Sequence, residues 1–547
     1  MFTEYFWNDQ IGFPLLTLMV FLPLAGAVSI FFFRKDPAAA RMEALIVAAA
    51  DLALSLLLLA RYEAGIPMMQ FVEFLPWIAP LGIGYHLGVD GISLFLVILT
   101  ALLTVLTLLY SWDRVKEHVR EYLICLLVLE TTMLGVFVSL DLVLFFVFWE
   151  VMLIPMYFLI KVWGKGPERD ASALKYVVYN LTGSVLMLVG FIILFLNYHD
   201  WAPTQLHRPA YSFDYLQLLV APISFETQLW VFGLIFLGFA VKGPIVPFHT
   251  WLPGVMRNGP IAVTVMLSGV KLGSYGLLRF NLPLAPEASQ AAAPLMMALA
   301  LFGLLYGAFI ALSQPNLMTM MAYAGISHLG FVTAGLFALN RLGIEGALIQ
   351  MVNLGVAGAG LMFIMAFLID RVGSHDIRAY GGLAKRAPLL ASLGLVIVLA
   401  SLALPGTNVF VGEFLILVGV FQSNWIYGTI GVTAVIFGAA YLLWMYERVM
   451  LGKLEKPQLA AIPDLNRREA AIAVTFVALI LWIGLYPAPL LDRMSPSVRA
   501  VVDRLDGVNR PSEIETFSRR MQKDPHAYIL EGLVPDPPGE GGAEASP

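Results

Sequence analysis

Stretches of about 20 apolar residues recur along nearly the whole chain, separated by short polar segments. Each stretch is long enough for an α-helix to cross a hydrocarbon layer of ~30 Å. The pattern therefore predicts fourteen membrane spans, whereas residues 66–90 contain aromatic residues, Pro and Gly and predict an extracytoplasmic turn or hairpin. The predicted spans are 12–33, 44–60, 91–110, 122–140, 142–163, 174–197, 226–249, 258–283, 291–312, 322–338, 344–370, 388–421, 426–447 and 470–487.

Two of these spans contain sequences that break helices. Residues 388–421 would form a helix of ~51 Å, longer than the hydrocarbon layer is thick, and contain Pro405 and Gly406. The span 226–249 contains Lys242-Gly243-Pro244. Interrupted helices at matching places in two halves are typical of inverted-repeat transporters. The sequence thus predicts an all-α polytopic membrane protein with two inverted five-helix repeats and discontinuous helices 7 and 12.

This interpretation divides the chain into five parts. They are N-terminal helices 1–3 with an extracytoplasmic hairpin (1–121), a first repeat (122–283), a second repeat (291–447), a cytoplasmic loop with helix 14 (448–490), and an extracytoplasmic polar tail (491–547). From about residue 508 the tail is rich in Pro, Gly and charge, which favours a solvated or partner-clasping extension over a domain.

Basic residues set the predicted orientation. Lys and Arg concentrate in the loops that follow odd-numbered spans, and the loops between spans on the other side contain only Arg61, Arg208 and Arg341. Since basic loops face the cytoplasm, both termini are expected on the extracytoplasmic side of a bacterial cytoplasmic membrane. The first apolar run lacks a basic segment and a cleavage site, so we interpret it as a retained helix.

Composition excludes several other classes of protein. The chain is 59% hydrophobic and 13% charged, with a mean hydropathy of +0.81, which a soluble protein could not bury. Its net charge of −5 argues against a nucleic-acid partner. The single cysteine, Cys125, excludes a disulfide framework, and too few thiols are present for an iron–sulfur cluster or a structural zinc site. We therefore predict no catalytic, cofactor-binding or metal residues in this chain.

Five ionisable residues lie inside predicted spans. They are Glu150, Lys242, Lys271, His328 and Glu413. A charge near the bilayer centre costs ~2.5–3.5 kcal/mol, so such residues are functional candidates. A buried lysine holds its proton less tightly and a nearby carboxylate tightens the binding, so a change in the Glu150–Lys242 distance would load or release a proton. A histidine is a natural intermediate carrier. The structural alternative is a set of buried pairs that lock helices together.

Three other polar residues are weaker candidates. Glu130 is deep enough in its span to be counted in the proton pathway. Asp51 lies outside both repeats and is expected to bond a neighbouring helix. His249 is expected to shape the membrane edge rather than to carry protons.

Several motifs resemble a known family. They are Trp149-Glu150-Val151-Met152-Leu153-Ile154-Pro155-Met156-Tyr157, Lys242-Gly243-Pro244 through His249-Thr250-Trp251-Leu252-Pro253, Gly325-Ile326-Ser327-His328, Tyr380-Gly381-Gly382-Leu383-Ala384, and Pro405-Gly406-Thr407 through Gly412-Glu413-Phe414. From about residue 80 to 490 the chain resembles subunit M of bacterial NADH:quinone oxidoreductase (complex I), chain 4 in mitochondria, an antiporter-like family. The resemblance implies that the glutamates and lysines form a proton channel with Glu413 facing the exit.

The resemblance also implies partners and cofactors. The partners would be homologous antiporter-like and small membrane subunits of the complex, together with lipids. NADH or another reductant, FMN, iron–sulfur clusters and quinone would be used in other subunits, with no redox chemistry in this chain.

The chain departs from the family pattern at several positions. Gly254, Val255 and Met256 replace an acidic residue, Ala and His, Met318 replaces a basic residue, and Asn353 replaces a histidine. His328 is therefore predicted to bear the transfer between Lys271 and Glu413, with ordered waters. Two alternatives stay open: a subunit of a multisubunit cation/proton antiporter or membrane-bound hydrogenase, and a structural subunit that has lost pumping. Whether H⁺ or Na⁺ moves is also left open.

Overall fold

A computed structural model describes residues 4–206 and 211–507, and it is mostly helical. Within those residues, thirteen helices are long and apolar enough to cross a membrane, and two shorter apolar helices accompany them. The predicted extension from residue 508 lies outside the described residues. The chain is thus a polytopic helical membrane protein.

The N-terminal part combines three long helices with a small sheet. Its elements are β1 (Glu4–Phe6), α1 (Trp7–Gln10), α2 (Leu15–Phe33), α3 (Pro37–Arg61), β2 (Met69–Ile78), β3 (Ile83–Val89) and α4 (Leu94–Ser111). Strands β2 and β3 are antiparallel and β1 pairs with β2 in parallel. The hairpin predicted within residues 66–90 is confirmed.

The middle of the chain forms the next group of helices. They are α5 (Val119–Val138), α6 (Leu142–Val151), α7 (Leu153–Trp163), α8 (Arg169–Leu206), α9 (Tyr215–Val220), α10 (Phe225–Lys242), α11 (Leu252–Asn258), α12 (Ile261–Gly269), α13 (Leu272–Gly276) and α14 (Leu282–Leu284). Asp141 separates α5 from α6. Its carboxylate caps the start of α6 by accepting hydrogen bonds from the backbone N–H groups of Val143 and Leu144.

The C-terminal half of the chain completes the bundle. Its helices are α15 (Pro286–Ser313), α16 (Leu317–Phe337), α17 (Arg341–Val372), α18 (Pro388–Ser401), α19 (Asn408–Ser423), α20 (Trp425–Met450), α21 (Arg467–Leu485) and α22 (Ala488–Leu505). The long apolar stretch 388–421 is not one helix, because α18 ends at Ser401 and α19 begins at Asn408. The predicted break around Pro405 and Gly406 is confirmed.

Two features of the bundle were not predicted. The span that contains Lys271 is also broken, because Val270 is extended and Lys271 is non-helical between α12 and α13. The predicted polar tail from residue 491 begins with a helix that was not predicted, because α22 occupies the segment up to Leu505. Its apolar side chains recur at helical spacing and are buried, so the segment packs despite its charged residues.

Candidate functional site

Lys242 is the last residue of α10, at the point where this helix breaks. Gly243 follows it, and the freed backbone carbonyl of Val241 accepts a hydrogen bond of 2.9 Å from Nε1 of Trp251. A carbonyl released by the break is therefore paired inside the bundle. The side chain of Lys242 is buried, with 8% of its surface exposed.

Aromatic side chains surround the ammonium group of Lys242. Its Nζ lies 5.1 Å from the ring centroid of Trp149 and 5.7 Å from that of Tyr176, both within cation–π range. Nζ also donates a long hydrogen bond of 3.5 Å to the hydroxyl of Tyr176. These contacts stabilise a positive charge without fixing it in an ion pair.

Glu150 follows Trp149 on α6 and acts on Lys242 from a distance. The carboxylate and the ammonium group interact electrostatically, but between these two described side chains there is no direct ion pair. One carboxylate oxygen of Glu150 is buried and has no hydrogen-bond partner among the described residues. The structure thus brings the predicted pair together but leaves a gap between the charges.

Lys271 occupies the unpredicted break between α12 and α13. Its Nζ donates a hydrogen bond of 2.5 Å to the carbonyl of Ser268, and the residue is 7% exposed. Gly273 packs directly on the other broken helix, because a Cβ there would collide with the backbone of Gly243 and Phe239. The two lysine-bearing breaks are therefore in backbone contact.

A cavity of about 50 Å³, here called the lysine cavity, is lined by both lysines. Tyr176, Trp251 and Ser268 contribute to its wall, together with Met256. Since one water molecule needs ~10–15 Å³ of such space and two to four polar partners, the lysine cavity has room for a few waters. It can therefore connect Lys242 to Lys271.

A second cavity of about 50 Å³, the relay cavity, lies on the other side of Lys271. Four residues line both cavities: Ser268, Lys271, Met321 and Gly325. His328 lines the relay cavity but not the lysine cavity. Lys271 thus borders two spaces that can hold water, one toward Lys242 and the other toward His328.

Glu413 on α19 is the last ionisable group of this series. Its Oε1 lies 3.4 Å from Nδ1 of His328 and accepts a hydrogen bond of 3.4 Å from Nε2 of Gln350. Asn353 donates to the Oε1 of Gln350 at 3.4 Å and to the backbone carbonyl of Asn408 at 2.7 Å. Lys242, Lys271 and His328 therefore border two adjoining cavities, and His328 contacts Glu413. Asn353 lines neither cavity.

Comparison with known proteins identifies the family. A family model described as NADH:quinone oxidoreductase/Mrp antiporter, TM, matches residues 139–438. NADH-quinone oxidoreductase subunit M of Rhodobacter capsulatus is 40% identical over 500 residues, covering 89% of this chain and 96% of that protein. The chain belongs to the subunit M family. It is thus an antiporter-like, multi-pass membrane subunit of NADH-quinone oxidoreductase, respiratory complex I.

Solved structures share the fold of this subunit M family member. A chain of respiratory complex I from Thermus thermophilus matches with a TM-score of 0.81 and 29% identity, over 90% of this chain and 99% of that one. A chain of the Mrp complex from a Dietzia species matches with a TM-score of 0.74 and 18% identity, over 91% of this chain and 100% of that one. The second likeness shows the fold alone.

The weaker candidates lie outside the line of cavities. The carboxyl groups of Glu130 and Asp51 face each other between α5 and α3, and Glu130 also contacts Thr104. Neither acid lines the lysine cavity or the relay cavity. His249 contacts Tyr306, with 3.3 Å between Nε2 and the hydroxyl.

Sequence reasoning missed several polar residues of the site, among them Tyr176, Ser268, Gln350 and Tyr441. Tyr441 lies on α20 with its hydroxyl 3.5 Å from Nε2 of His328. Each is an uncharged polar residue in an apolar span, which is a weak signal because many such residues only bond their own helix. In the part of the chain that the structure describes, no group of three or more His, Cys, Asp or Glu residues is arranged to hold a metal ion.

Proposed function

We propose that this subunit carries protons across the membrane along Glu150, Lys242, Lys271, His328 and Glu413. The observation that carries the proposal is that Lys271 lines two cavities, one shared with Lys242 and the other with His328. A proton needs a titratable group or ordered water at each step through the membrane interior, and this line has titratable groups beside cavities with room for water.

Each lysine along this route works by changing how tightly it holds a proton. When the gap between Glu150 and Lys242 narrows, the carboxylate stabilises the ammonium group and a proton loads. When it widens, burial favours the neutral amine and the proton leaves through waters of the lysine cavity to Lys271. His328 accepts it from the relay cavity and passes it to Glu413, the exit-side group.

The proposal extends to topology and partners. Both termini face the extracytoplasmic side of a bacterial cytoplasmic membrane, and the two repeats (122–283 and 291–447) are inverted with respect to each other. Protons move outward, driven by quinone reduction in other subunits, which would bind NADH or another reductant, FMN, iron–sulfur clusters and quinone. Other antiporter-like subunits, small membrane subunits and lipids would surround this chain.

A second candidate function is a structural membrane subunit that no longer pumps. Met256 and Met318 favour it, because neither thioether can carry a proton at positions where the family resemblance implies titratable side chains. The third candidate, a multisubunit antiporter or hydrogenase subunit, has weaker support, since the likeness to the Mrp complex rests on 18% identity.

Replacing Glu150 by Gln tests the proposal. Gln keeps the shape of the side chain but removes the charge that tunes Lys242, so protons translocated per electron should fall severalfold while the complex still assembles. The measurement is proton uptake by membrane vesicles during quinone reduction, with complex content determined in parallel.

The exposed carboxylate of Glu226, in the first turn of α10, provides the control, and Glu226→Gln should pump normally. Pumping at the wild-type rate in Glu150→Gln would refute the proposal. Glu130→Gln tests whether the Glu130–Asp51 pair takes part, and unchanged pumping would remove Glu130 from the pathway.

A further inference from the structure

A third cavity, of about 360 Å³, lies at the end of the bundle that carries the basic loops. Its wall includes Lys116, Lys165, Arg257 and His375, so we call it the basic-face cavity. Charged side chains and a volume far above that of one water molecule make this cavity wettable. It is the natural reservoir for water on this side of the protein.

The basic-face cavity and the lysine cavity meet at one side chain. Among the residues that the structure describes, Met256 alone lines both cavities. Met256 lies on α11, the short helix that follows the break after Lys242, and is 2% exposed. The neck between the two cavities is therefore closed by a buried thioether.

Two further methionines on α16 extend this apolar neck. Met318 lines the basic-face cavity, and Met321, one helical turn further on, lines the lysine cavity. Helices α11 and α16 pack against each other. Thioethers offer only weak hydrogen-bond acceptors, so water in the neck would lack the two to four polar partners that it needs.

We propose that Met256 is a hydrophobic gate that controls the passage of water between the basic-face cavity and the lysine cavity. Hydrophobic constrictions interrupt water by dewetting, and methionine has an unbranched side chain that can swing aside. Since α11 follows the helix break directly, a rearrangement of this break would move Met256. The proposal rests on the proposed function and adds the residue that opens and closes its inlet.

The test measures water access directly, in the whole complex in membrane vesicles. Cys125→Ser removes the native cysteine of this chain, after which Met318→Cys or Met321→Cys places one thiol on either side of the neck. Silver ion, a small soft cation that reacts with thiols, is added on each side of the membrane in turn. A thiol that has bound silver can no longer be alkylated. The unalkylated fraction of this chain, measured by mass spectrometry after increasing exposure times, gives the rate at which silver reaches the thiol.

With Met256 intact, Met318→Cys should react quickly and Met321→Cys slowly with silver ion added on the basic-loop side. Adding Met256→Ala to Met321→Cys should raise its rate about tenfold, because the shortened side chain lets water enter the neck. Met256→Leu keeps the neck apolar and filled, and should leave the rate low. Val255→Ala is the matched control, because Val255 is equally buried and lines neither cavity.

The proposal is overturned if Met321→Cys reacts as fast as Met318→Cys while Met256 is present. It is also overturned if Met256→Ala has no more effect than Val255→Ala. Silver access involves no proton transfer, so the two proposals fail in different experiments. A normal pumping rate in Glu150→Gln would refute the proposed pathway, whereas the silver rates alone decide whether Met256 is a gate.

Discussion

At the scale of single residues, uncharged amide side chains help to position Glu413. Gln350 donates a hydrogen bond to its carboxylate, and Asn353 donates one to the side-chain oxygen of Gln350. The side-chain amides of Asn353 and Asn408 each donate to the other residue's backbone carbonyl. His328 is the one titratable contact that links Glu413 to the relay cavity among the described residues. Asn353 therefore ties α17 to the start of α19, just after the helix break.

His328→Ala should lower proton flux severalfold. Among the described residues that line the relay cavity, His328 is the titratable side chain that contacts Glu413, so the variant has no group to pass a proton from this cavity to Glu413. Proton uptake in vesicles that contain the complex, normalised to quinone reduction, gives the measurement. Tyr441→Phe is the control, since it removes the hydroxyl beside His328 and leaves the imidazole. Unchanged flux in His328→Ala would mean that protons bypass this region.

A second residue-scale cluster lies in the small sheet, outside the membrane-spanning segments. His86 on β3 contacts Asp214 through Nδ1, and its Nε2 lies 2.9 Å from Oε1 of Glu4. Burial opposes the charged imidazole, but the carboxylates of Asp214 and Glu4 outweigh it and raise the pKa of His86 to about 10. The histidine is therefore a cation at neutral pH and links β3 to β1 and to the start of α9.

Because this pKa is raised, the stability that His86 contributes is complete below the unfolded pKa of ~6.5 and is lost as pH rises toward about 10. His86→Gln should cost ~3–5 kcal/mol near neutral pH, since Asp214 is left buried without its cation. Thermal unfolding of the detergent-solubilised complex, followed between these pH values, should show a flatter pH profile in the variant. His199→Gln, in an exposed pair with Asp200, should leave the profile unchanged.

At the scale of elements, the sequence predicted the helix breaks that contain a proline next to a glycine. Pro244 and Pro405 cannot continue a helix, so two interruptions were visible in advance. The break at Lys271 was missed because only Gly269 and Gly273 flank it, and isolated glycines are common within apolar helices.

Helix α22 was missed for a different reason. Its buried apolar residues (Leu490, Met494, Val498, Val501 and Leu505) are spaced by three or four positions among charged residues. A search for long apolar runs overlooks this amphipathic pattern, whereas a search for helical periodicity finds it.

Gly273→Ala should destabilise the contact between the two breaks by ~1–3 kcal/mol, because the added methyl group collides with the backbone of Gly243 rather than with a movable side chain. The readout is the thermal midpoint and yield of the assembled complex. Gly233→Ala serves as the control, since a Cβ at Gly233 on α10 has no neighbour within 4 Å among the described residues. Equal behaviour of the two variants would show that the breaks do not need this close approach.

At the scale of the whole molecule, the side chains of the proposed route come from distant parts of the sequence. Lys242 and Lys271 come from the first predicted repeat, and His328 and Glu413 from the second. Sequence identified these residues individually because charges are rare in apolar spans. Their order along shared cavities depends on helix packing, which no pattern in the sequence specifies.

Helix α22 contacts several distant parts of the chain through hydrogen bonds. Ser497 accepts a hydrogen bond from the backbone of Gly91 at 3.0 Å, and Ser495 accepts one from Arg341 at 2.9 Å. The buried guanidinium of Arg504 donates to the carbonyl of Pro283 at 2.6 Å and to that of Leu219. One amphipathic helix thereby contacts the N-terminal part, the first predicted repeat and the second.

Arg504→Gln should weaken the attachment of α22 without changing any residue of the proposed proton route. The shorter amide cannot reach both carbonyls, and charge-assisted hydrogen bonds are worth ~1.5–3 kcal/mol each, so the thermal midpoint of the complex should fall by several degrees. Arg499→Gln removes an exposed charge from the same helix and should leave the midpoint unchanged. Protons pumped per electron at low temperature should be normal in both variants. A fall in that ratio in Arg504→Gln, with an unchanged thermal midpoint, would contradict a purely mechanical role for α22.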